Sequence, residues 1–243
     1  MKNNIYAIIF GLAIIIAAAL LGNAFQNRNT KDGIISVTGL GKADFTSDLI
    51  VWEGSYSTLN ANLQQAYTSL ENDKKIITQY LNDKGVDATD IVFNAVTTSE
   101  KREQNYSDTG RYLGDKFIGY QLSQSIKIES TNVAQIEKIS REITELLNKG
   151  VQFYSQPPRY YYTKLADLKI EMISKATEDA RVRAEKIAEN SRSELGDLID
   201  AKMGIFQITG QNSNENYSWG GTFNTSAKKK TASITMKLNY KVK

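Results

Sequence analysis

The sequence has 243 residues, a length that suits one domain of ordinary size plus a short leading segment. Its 30 basic and 27 acidic residues give a formal net charge of only +3, and because they are spread along the chain, no nucleic-acid partner is expected. Cysteine and histidine are absent, which excludes disulfides, Ser-His-Asp or Cys-His catalysis and histidine-based zinc sites from this chain.

The chain opens with an apolar run in which every residue from Ile5 to Leu21 is apolar or glycine. As a helix this run is about 26 Å long, close to the hydrocarbon thickness of a bilayer. Its length favours a retained membrane anchor, whereas the small residues of Gly22-Asn23-Ala24 favour a signal cleaved before the next residue. We predict a membrane anchor or signal over residues 1–25 and a polar tether over 26–32. Residues 33–243 then form one domain in the cell envelope, periplasmic and either inner-membrane anchored or secreted after cleavage.

Two β-rich segments follow, Gly33 to Gly41 and Phe45 to Thr58, and together they predict a hairpin. The next segment has helical spacing of its apolar residues, with Asn60 as the expected N-cap and Gly85 as the stop.

Two further strands are predicted, over residues 91–98 and 116–129, with a polar loop between them at 100–115. A second helix is predicted from Asn132, because Gln135 three residues later completes a capping-box pattern, and it ends before Gly150.

After a short strand at residues 151–155, the longest helix of the domain is predicted from Thr163 to about Glu194. Small residues recur along it every four positions, so one stripe is flat enough to approach a sheet or another helix closely. These residues are Ala176, Ala180, Ala184 and Ala188.

Gly196 is the expected stop of that helix, and a strand from Leu198 to Thr209 precedes a loop over residues 210–226. The last strand, residues 232–242, alternates apolar and polar side chains, so one face is expected in the core and the other in water. The fold class is therefore α+β: a mainly antiparallel sheet with helices packed on one side, in the order ββα-ββα-βαββ.

Three motifs invite a chemical interpretation. The glycines of Gly39-Leu40-Gly41-Lys42 lack the spacing of a phosphate loop, so a hairpin turn is predicted. The carboxylates of the long helix, from Glu178 to Glu189, alternate with cations and are interpreted as ion-paired surface. The run Lys228-Lys229-Lys230 is interpreted as a solvated strand end, with contact to anionic lipid or nucleic acid as the alternative.

Two aromatic clusters are the candidate ligand or partner contacts, because flat rings bind sugars and peptides through large contact areas. Subunit contact or local packing is the alternative. The candidates are Arg159, Tyr160, Tyr161, Tyr162, Tyr217, Trp219 and Phe223. No catalytic residue, metal ligand or cofactor site is predicted.

Several short motifs, taken in order, are similar to the SIMPL domain family of bacterial periplasmic and outer-membrane-associated immunogenic proteins. The segments that carry the resemblance are Ile35-Ser36-Val37-Thr38-Gly39-Leu40-Gly41, Lys84-Gly85-Val86, Asp90-Ile91, Gly119-Tyr120, Gly150, the alanine-rich helix from Ala176 to Ala188, and Leu195-Gly196. Ser47-Asp48 departs from the family's usual Pro-Asp. The resemblance implies an envelope location, self-association and a loose link to stress tolerance, and it transfers no catalytic residue.

The leading hypothesis is a non-enzymatic envelope protein that attaches to a membrane through residues 5–21, self-assembles into a homo-oligomer and is loosely linked to envelope stress tolerance. The alternative is a periplasmic binding module that holds a glycan, peptide or small molecule through its aromatic loops. An enzyme built on carboxylates or tyrosines is the third hypothesis.

Overall fold

A computed structural model of the chain describes residues 2–27, 33–216 and 218–243. In the first helix it describes the side chains of residues 10–23 only. The helices are α1 Lys2–Asn27, α2 Leu63–Asp83, α3 Val133–Glu142 and α4 Leu165–Asn190. The strands are β1 Ile34–Thr46, β2 Leu49–Asn60, β3 Ile91–Phe93, β4 Thr97–Tyr106, β5 Tyr112–Ser130, β6 Phe153–Ser155, β7 Arg159–Tyr161, β8 Leu195–Met203, β9 Gln207–Gly210 and β10 Lys229–Val242.

The chain forms two compact units, and β1, α4 and β10 each run from one unit into the other. The first unit contains residues 1–41, 173–204 and 234–243, and the second contains residues 42–172 and 205–233. The predicted tether at 26–32 falls largely outside the described residues. Within the part of the chain that the structure describes, no helix is both long and apolar enough to cross a membrane.

In the first unit, β10 lies between β1 and β8. β8 is antiparallel to β10, with Leu238 across from Ala201, and the Val242 N–H donates to the Gly33 carbonyl at the start of β1. Alternate residues of β1 are buried, and the four alanines predicted to pack closely are at most 2% exposed. The alanine stripe of α4 is therefore confirmed as a packing surface.

Gly39 lies in the middle of β1, so the prediction of a hairpin turn at this position is wrong. A Cβ at Gly39 would lie 2.1 Å from the Ala176 carbonyl oxygen and 2.4 Å from the Ala180 nitrogen. The glycine is required because the helix backbone occupies the space that any larger side chain needs. The Leu40 N–H also donates to the Asp179 carboxylate, at 2.8 Å.

The second unit contains a six-stranded antiparallel sheet centred on β2 and β5. β6 and β7 pair with β2, whereas β3 and β4 pair with β5. Helices α2 and α3 cover this sheet, and the largest fully buried side chains between them include Trp52, Tyr56, Leu70, Ile128 and Ile136. β9 pairs with the first residues of β10 in this unit.

The predicted hairpin between the first two strands is wrong, because β1 and β2 belong to different sheets. Ser47 and Asp48 connect them, and this pair lacks the glycine or asparagine of a two-residue hairpin turn. Other segments hold the connection instead. The Ser47 N–H donates to the Lys228 carbonyl, the Asp48 N–H donates to the Tyr161 carbonyl, and the Asp48 carboxylate accepts from the Thr163 N–H and hydroxyl.

The α+β class and the mostly antiparallel pairing are confirmed, but the predicted order and the single sheet need correction. The expected loop at 100–115 is a long hairpin of β4 and β5, and the strand predicted over 198–209 is divided into β8 and β9. The order is ββα-βββα-ββαβββ. β4 has polar side chains on both faces. Its sequence therefore lacks the alternation of apolar and polar residues from which a strand is predicted.

Helix ends follow local rules with two exceptions. Gln135 donates its N–H to Asn132, which confirms the predicted N-cap of α3, and Gly85 and Gly150 both adopt positive φ angles. α2 is capped by Asn62 rather than Asn60, whose side chain instead accepts from the Asn62 N–H. α4 ends at Asn190, so the expected stop at Gly196 is wrong.

Candidate functional site

The first predicted cluster forms β7, which pairs with β2. Arg159 makes an ion pair with Glu53 at 2.6 Å. Tyr160 is buried, and its hydroxyl donates to Glu137 at 3.3 Å. Tyr161 and Tyr162 are half-buried, and the Tyr162 ring lies 4.8 Å from the ring of Phe45. Burial raises the pKa of the Tyr160 hydroxyl above its usual range.

The second predicted cluster lies on the loop after β9. Trp219 is 96% exposed and Phe223 is about half exposed, whereas Tyr217 lies outside the described residues. Two hydrogen bonds anchor the loop. The Gln207 side-chain amide donates to the Ser218 carbonyl and accepts from the Thr222 N–H. An exposed indole on an anchored loop is free to contact another molecule.

The structure brings the two clusters together through the backbone only. The Tyr160 N–H donates to the carbonyl of Thr225 at 2.7 Å, two residues beyond Phe223. Among the described residues, no ring of the β7 cluster stacks on Trp219 or Phe223. The described members of the two clusters are therefore linked by one backbone hydrogen bond and do not form one continuous aromatic platform.

Lys230 is the unexpected charge in this region. Its side chain is 2% exposed, and its ammonium donates to the Tyr160 carbonyl. Desolvation lowers the pKa of Lys230 to about 8. Lys228, by contrast, pairs with Glu137 at 2.9 Å. The interpretation of the lysine run as a solvated strand end is wrong at Lys230, because β10 carries that residue into the interior.

A pocket of about 510 Å³ lies where the β1–β2 connection meets the start of α3. Its lining residues are Thr46, Ser47, Asp48, Thr131, Asn132, Val133, Ala134, Thr163 and Lys228. The buried Ser47 hydroxyl has no hydrogen-bond partner among the described residues. Both oxygens of Asp48 already accept hydrogen bonds from Thr163, and the Lys228 ammonium is neutralised by Glu137. The pocket therefore offers little uncommitted charge to a ligand.

The hairpin of β4 and β5 is a candidate surface that was not predicted from the sequence. All ten residues of β4 are exposed, and β2 stops pairing with β5 at Tyr120. From Gly119 to Tyr112, β5 pairs with β4 alone among the described strands. We name residues 100–119 the arm. A two-stranded ribbon of this kind is marginally stable in water by itself.

Large apolar side chains are exposed on the arm, namely Tyr106, Tyr112, Leu113, Phe117 and Ile118. The rings of Tyr106 and Tyr112 lie 5.6 Å apart in an edge-to-face arrangement, and those of Phe117 and Tyr120 lie 5.1 Å apart. These cross-strand pairs stabilise the ribbon. In the sequence, Tyr106 and Tyr112 stand on either side of a short polar stretch, and this is the signal from which the hairpin could have been predicted.

The carboxylates of α4 from Glu178 to Glu189 are ion-paired. Arg181 bonds to Glu178 and Glu185, and Lys186 bonds to Glu189, so the predicted ion-paired surface is confirmed. The Leu40 N–H and the neighbouring Arg183 guanidinium lower the pKa of Asp179. In the described residues, no group of three or more acidic side chains is positioned to hold a metal ion.

Residues 35–240 match the family model described as "SIMPL: Protein of unknown function (DUF541)". No curated protein matches the chain.

Proposed function

The chain belongs to the SIMPL family, and from this premise we propose that it is a non-enzymatic protein of the cell envelope that self-assembles through the arm. The carrying observation is the exposure of the arm on both faces and along the free edge of β4. A loose role in envelope stress tolerance is part of this proposal.

Unpaired strand edges support assembly by strand addition. Among the described strands, β4 has one unpaired edge along its whole length, and β5 has another from Tyr112 to Gly119. Exposed N–H and C=O groups on such edges are templates for pairing with another chain. When two copies of the same strand pair antiparallel, the interface is isologous and closes as a dimer.

The exposed apolar side chains of the arm support the same proposal. Each large apolar side chain contributes about 1.5–3 kcal/mol on full burial, so five half-exposed ones provide several kcal/mol when a second copy covers them. This gain opposes the entropy that association costs.

The charges of β4 favour a second copy of the same strand. The sequence Glu100-Lys101-Arg102-Glu103 has two charges of each sign, so it is net neutral. Charged edge strands normally discourage pairing with other proteins. An antiparallel pair with Glu100 of one copy across from Lys101 of the other places opposite charges together, which lowers the free energy of that pair.

Light scattering on the full-length chain in detergent tests this proposal. The double variant Glu100→Lys with Glu103→Lys makes the strand uniformly basic, and we expect it to dissociate the assembly. The double variant Asp83→Lys with Asp87→Lys changes the net charge equally on an exposed surface away from the arm. This control is expected to keep the size of the parent protein.

A charge-swap mixture identifies the strand that pairs. A second double variant, Lys101→Glu with Arg102→Glu, is expected to be dissociated by itself and to associate when it is mixed with the basic variant. A parent protein that is monomeric at all concentrations, or a mixture that stays dissociated, would contradict assembly through β4.

The envelope location rests on the apolar run from Ile5 to Leu21. Whether α1 is a retained anchor or a cleaved signal is decided by N-terminal sequencing of the mature protein. Cell fractionation tests the location itself. Recovery of a full-length tagged copy from the cytosol with its first residues intact would contradict it.

A binding module is the second candidate, and the nearly complete exposure of Trp219 favours it. An indole that is exposed on an anchored loop is available for stacking on a sugar or a peptide. The variant Trp219→Ala is expected to abolish binding on a glycan or peptide array without unfolding the protein. Unchanged binding would remove this candidate.

A further inference from the structure

The pocket at the β1–β2 connection has the size and the polar lining of a small-molecule site. Its volume of about 510 Å³ lies within the ~300–1,000 Å³ that is usual for ligand sites. The β1–β2 connection, the start of α3 and the residues just before α4 and β10 form its walls, and all of them belong to the second unit. Thr46 and Thr131, both exposed, contribute hydroxyl groups to this lining.

A buried hydroxyl without a partner also lines the pocket. Ser47 is only 4% exposed, and its hydroxyl has no hydrogen-bond partner among the described residues. Its backbone N–H is bonded to the Lys228 carbonyl at 2.9 Å, so the main chain is fixed at this point while the side chain is not. Burying a hydroxyl without a partner costs free energy, and such groups are rare in folded proteins. A ligand in the pocket would supply the missing partner.

The first turn of α3 adds a backbone donor. The Val133 N–H donates to the Thr131 carbonyl, and the Gln135 N–H donates to the side chain of Asn132. Among the described residues, no acceptor is bonded to the N–H of Ala134. Ala134 is exposed and lines the pocket, so its N–H is available to a ligand.

The charges of the pocket favour a neutral ligand. Lys228 is already paired with Glu137, and Asp48 has no cation partner in the lining. An anion would therefore meet the carboxylate of Asp48, and a cation would meet the ammonium of Lys228. An ionised carboxylate has about four acceptor sites, of which Thr163 uses two. The remaining sites of Asp48 can accept from the hydroxyl groups of a neutral molecule.

We propose that this pocket binds a neutral sugar of one ring. Each hydroxyl of such a ring both donates and accepts, which suits a lining where donors and acceptors lie side by side. Asp48 accepts from one ligand hydroxyl, and the Ala134 N–H donates to another. The Ser47 side chain turns about χ1 to reach a third, because its oxygen is covered in the present rotamer. The lining includes no residue of the arm and none of the loop that carries Trp219.

Saturation-transfer NMR on the full-length chain tests the proposal with the methyl glycosides of glucose, galactose and mannose as probes. The detergent is zwitterionic, because glucoside and maltoside detergents carry the same chemistry as the probes. We expect at least one probe to bind with a Kd of about 1–10 mM, which is typical of a ligand of this size held by a few hydrogen bonds. Inorganic phosphate and ethanolamine at the same concentration are expected not to displace it.

Two variants separate hydrogen bonding from access to the pocket. Ser47→Ala is expected to weaken binding about threefold to tenfold, the effect of one hydrogen bond, without lowering the free energy of unfolding, because no native hydrogen bond is lost. Ala134→Phe fills the pocket from an exposed position and is expected to abolish binding. Ser36→Ala and Ala201→Phe make the same changes at exposed positions of the other unit, and they are expected to leave binding unchanged.

Urea titration establishes that both pocket variants are folded. Absence of saturable binding for all three glycosides, or binding that neither pocket variant weakens, would overturn the proposal. Displacement of the glycoside by phosphate or ethanolamine would identify a site for a charged ligand and overturn it equally. If Trp219→Ala abolishes the binding and the pocket variants do not, the sugar binds at the loop and the assignment to this pocket is wrong.

Discussion

Replacing Gly39 by alanine tests the close approach of β1 and α4. The new methyl group would lie 2.1 Å from the Ala176 oxygen and 2.4 Å from the Ala180 nitrogen, well inside an ordinary contact of about 3.4 Å. Both atoms are backbone, so no side-chain rotation relieves the clash and the helix must move by about 1 Å. A gap of that size forfeits a quarter to a half of the dispersion energy along the buried alanine stripe.

Overpacking of this kind costs about 1–3 kcal/mol, and the lost helix contacts add to it. The better strand propensity of alanine offsets about 0.5–1 kcal/mol. We therefore expect Gly39→Ala to lower the free energy of unfolding by about 2–4 kcal/mol, measured by urea titration of the circular dichroism signal at 222 nm.

Gly220→Ala is the matched control, because the nearest atom to its new methyl group is the Ser218 hydroxyl at 4.0 Å. It is expected to change stability by no more than about 0.5 kcal/mol. Ala180→Gly in the Gly39→Ala background is not expected to restore stability, since the backbone contacts remain. If Gly39→Ala is as stable as Gly220→Ala, the packing of β1 on α4 does not require this close approach.

Three further predictions concern single side chains. Asp179→Asn removes a carboxylate whose pKa is lowered by the Leu40 N–H. The charged carboxylate stabilises the fold above about pH 4, and this stabilisation is lost as the pH falls below that value. The free energies of unfolding of the parent and the variant should therefore converge in urea titrations at acid pH. The pKa of Lys230 is lowered in the folded state, so between about pH 8 and 10.5 the folded state binds fewer protons than the unfolded state. The free energy of unfolding of the parent should therefore rise with pH over that range, whereas that of Lys230→Met should not. Asn132→Ala should cost about 1 kcal/mol in thermal melts, and Asn60→Ala should cost less because Asn60 caps no helix.

The helices were predictable because their signals are local. The Asn132 cap, the stop at Gly85 and the alanine spacing of α4 depend on residues within one or two turns of each other. The cap of α2 was placed two residues early, because Asn60 and Asn62 are chemically alike and only the backbone decides which one precedes the first turn.

Apart from the hairpin of β4 and β5, the strand pairings were not predictable, because they depend on residues far apart in the sequence. The glycines of β1 resemble a turn when their neighbours along the chain are considered alone. Gly39 instead leaves room for the backbone of α4, a helix that begins more than 120 residues later. Ser47 and Asp48 are held by hydrogen bonds to Lys228, Tyr161 and Thr163, so no local pattern separates them from a hairpin connection.

The candidate sites show the same division. Arg159 and the three tyrosines were chosen for their composition, yet Tyr160 is buried. The arm has no alternation of apolar residues, and its surface is the more exposed of the two. A strand that is polar on both faces buries no apolar surface within its own domain. It stabilises its neighbour β5 little beyond the backbone hydrogen bonds. Such a hairpin stabilises the monomer weakly, and its exposed rings and free edge gain free energy when another chain covers them. This physical asymmetry is why we propose the arm as the surface for self-assembly.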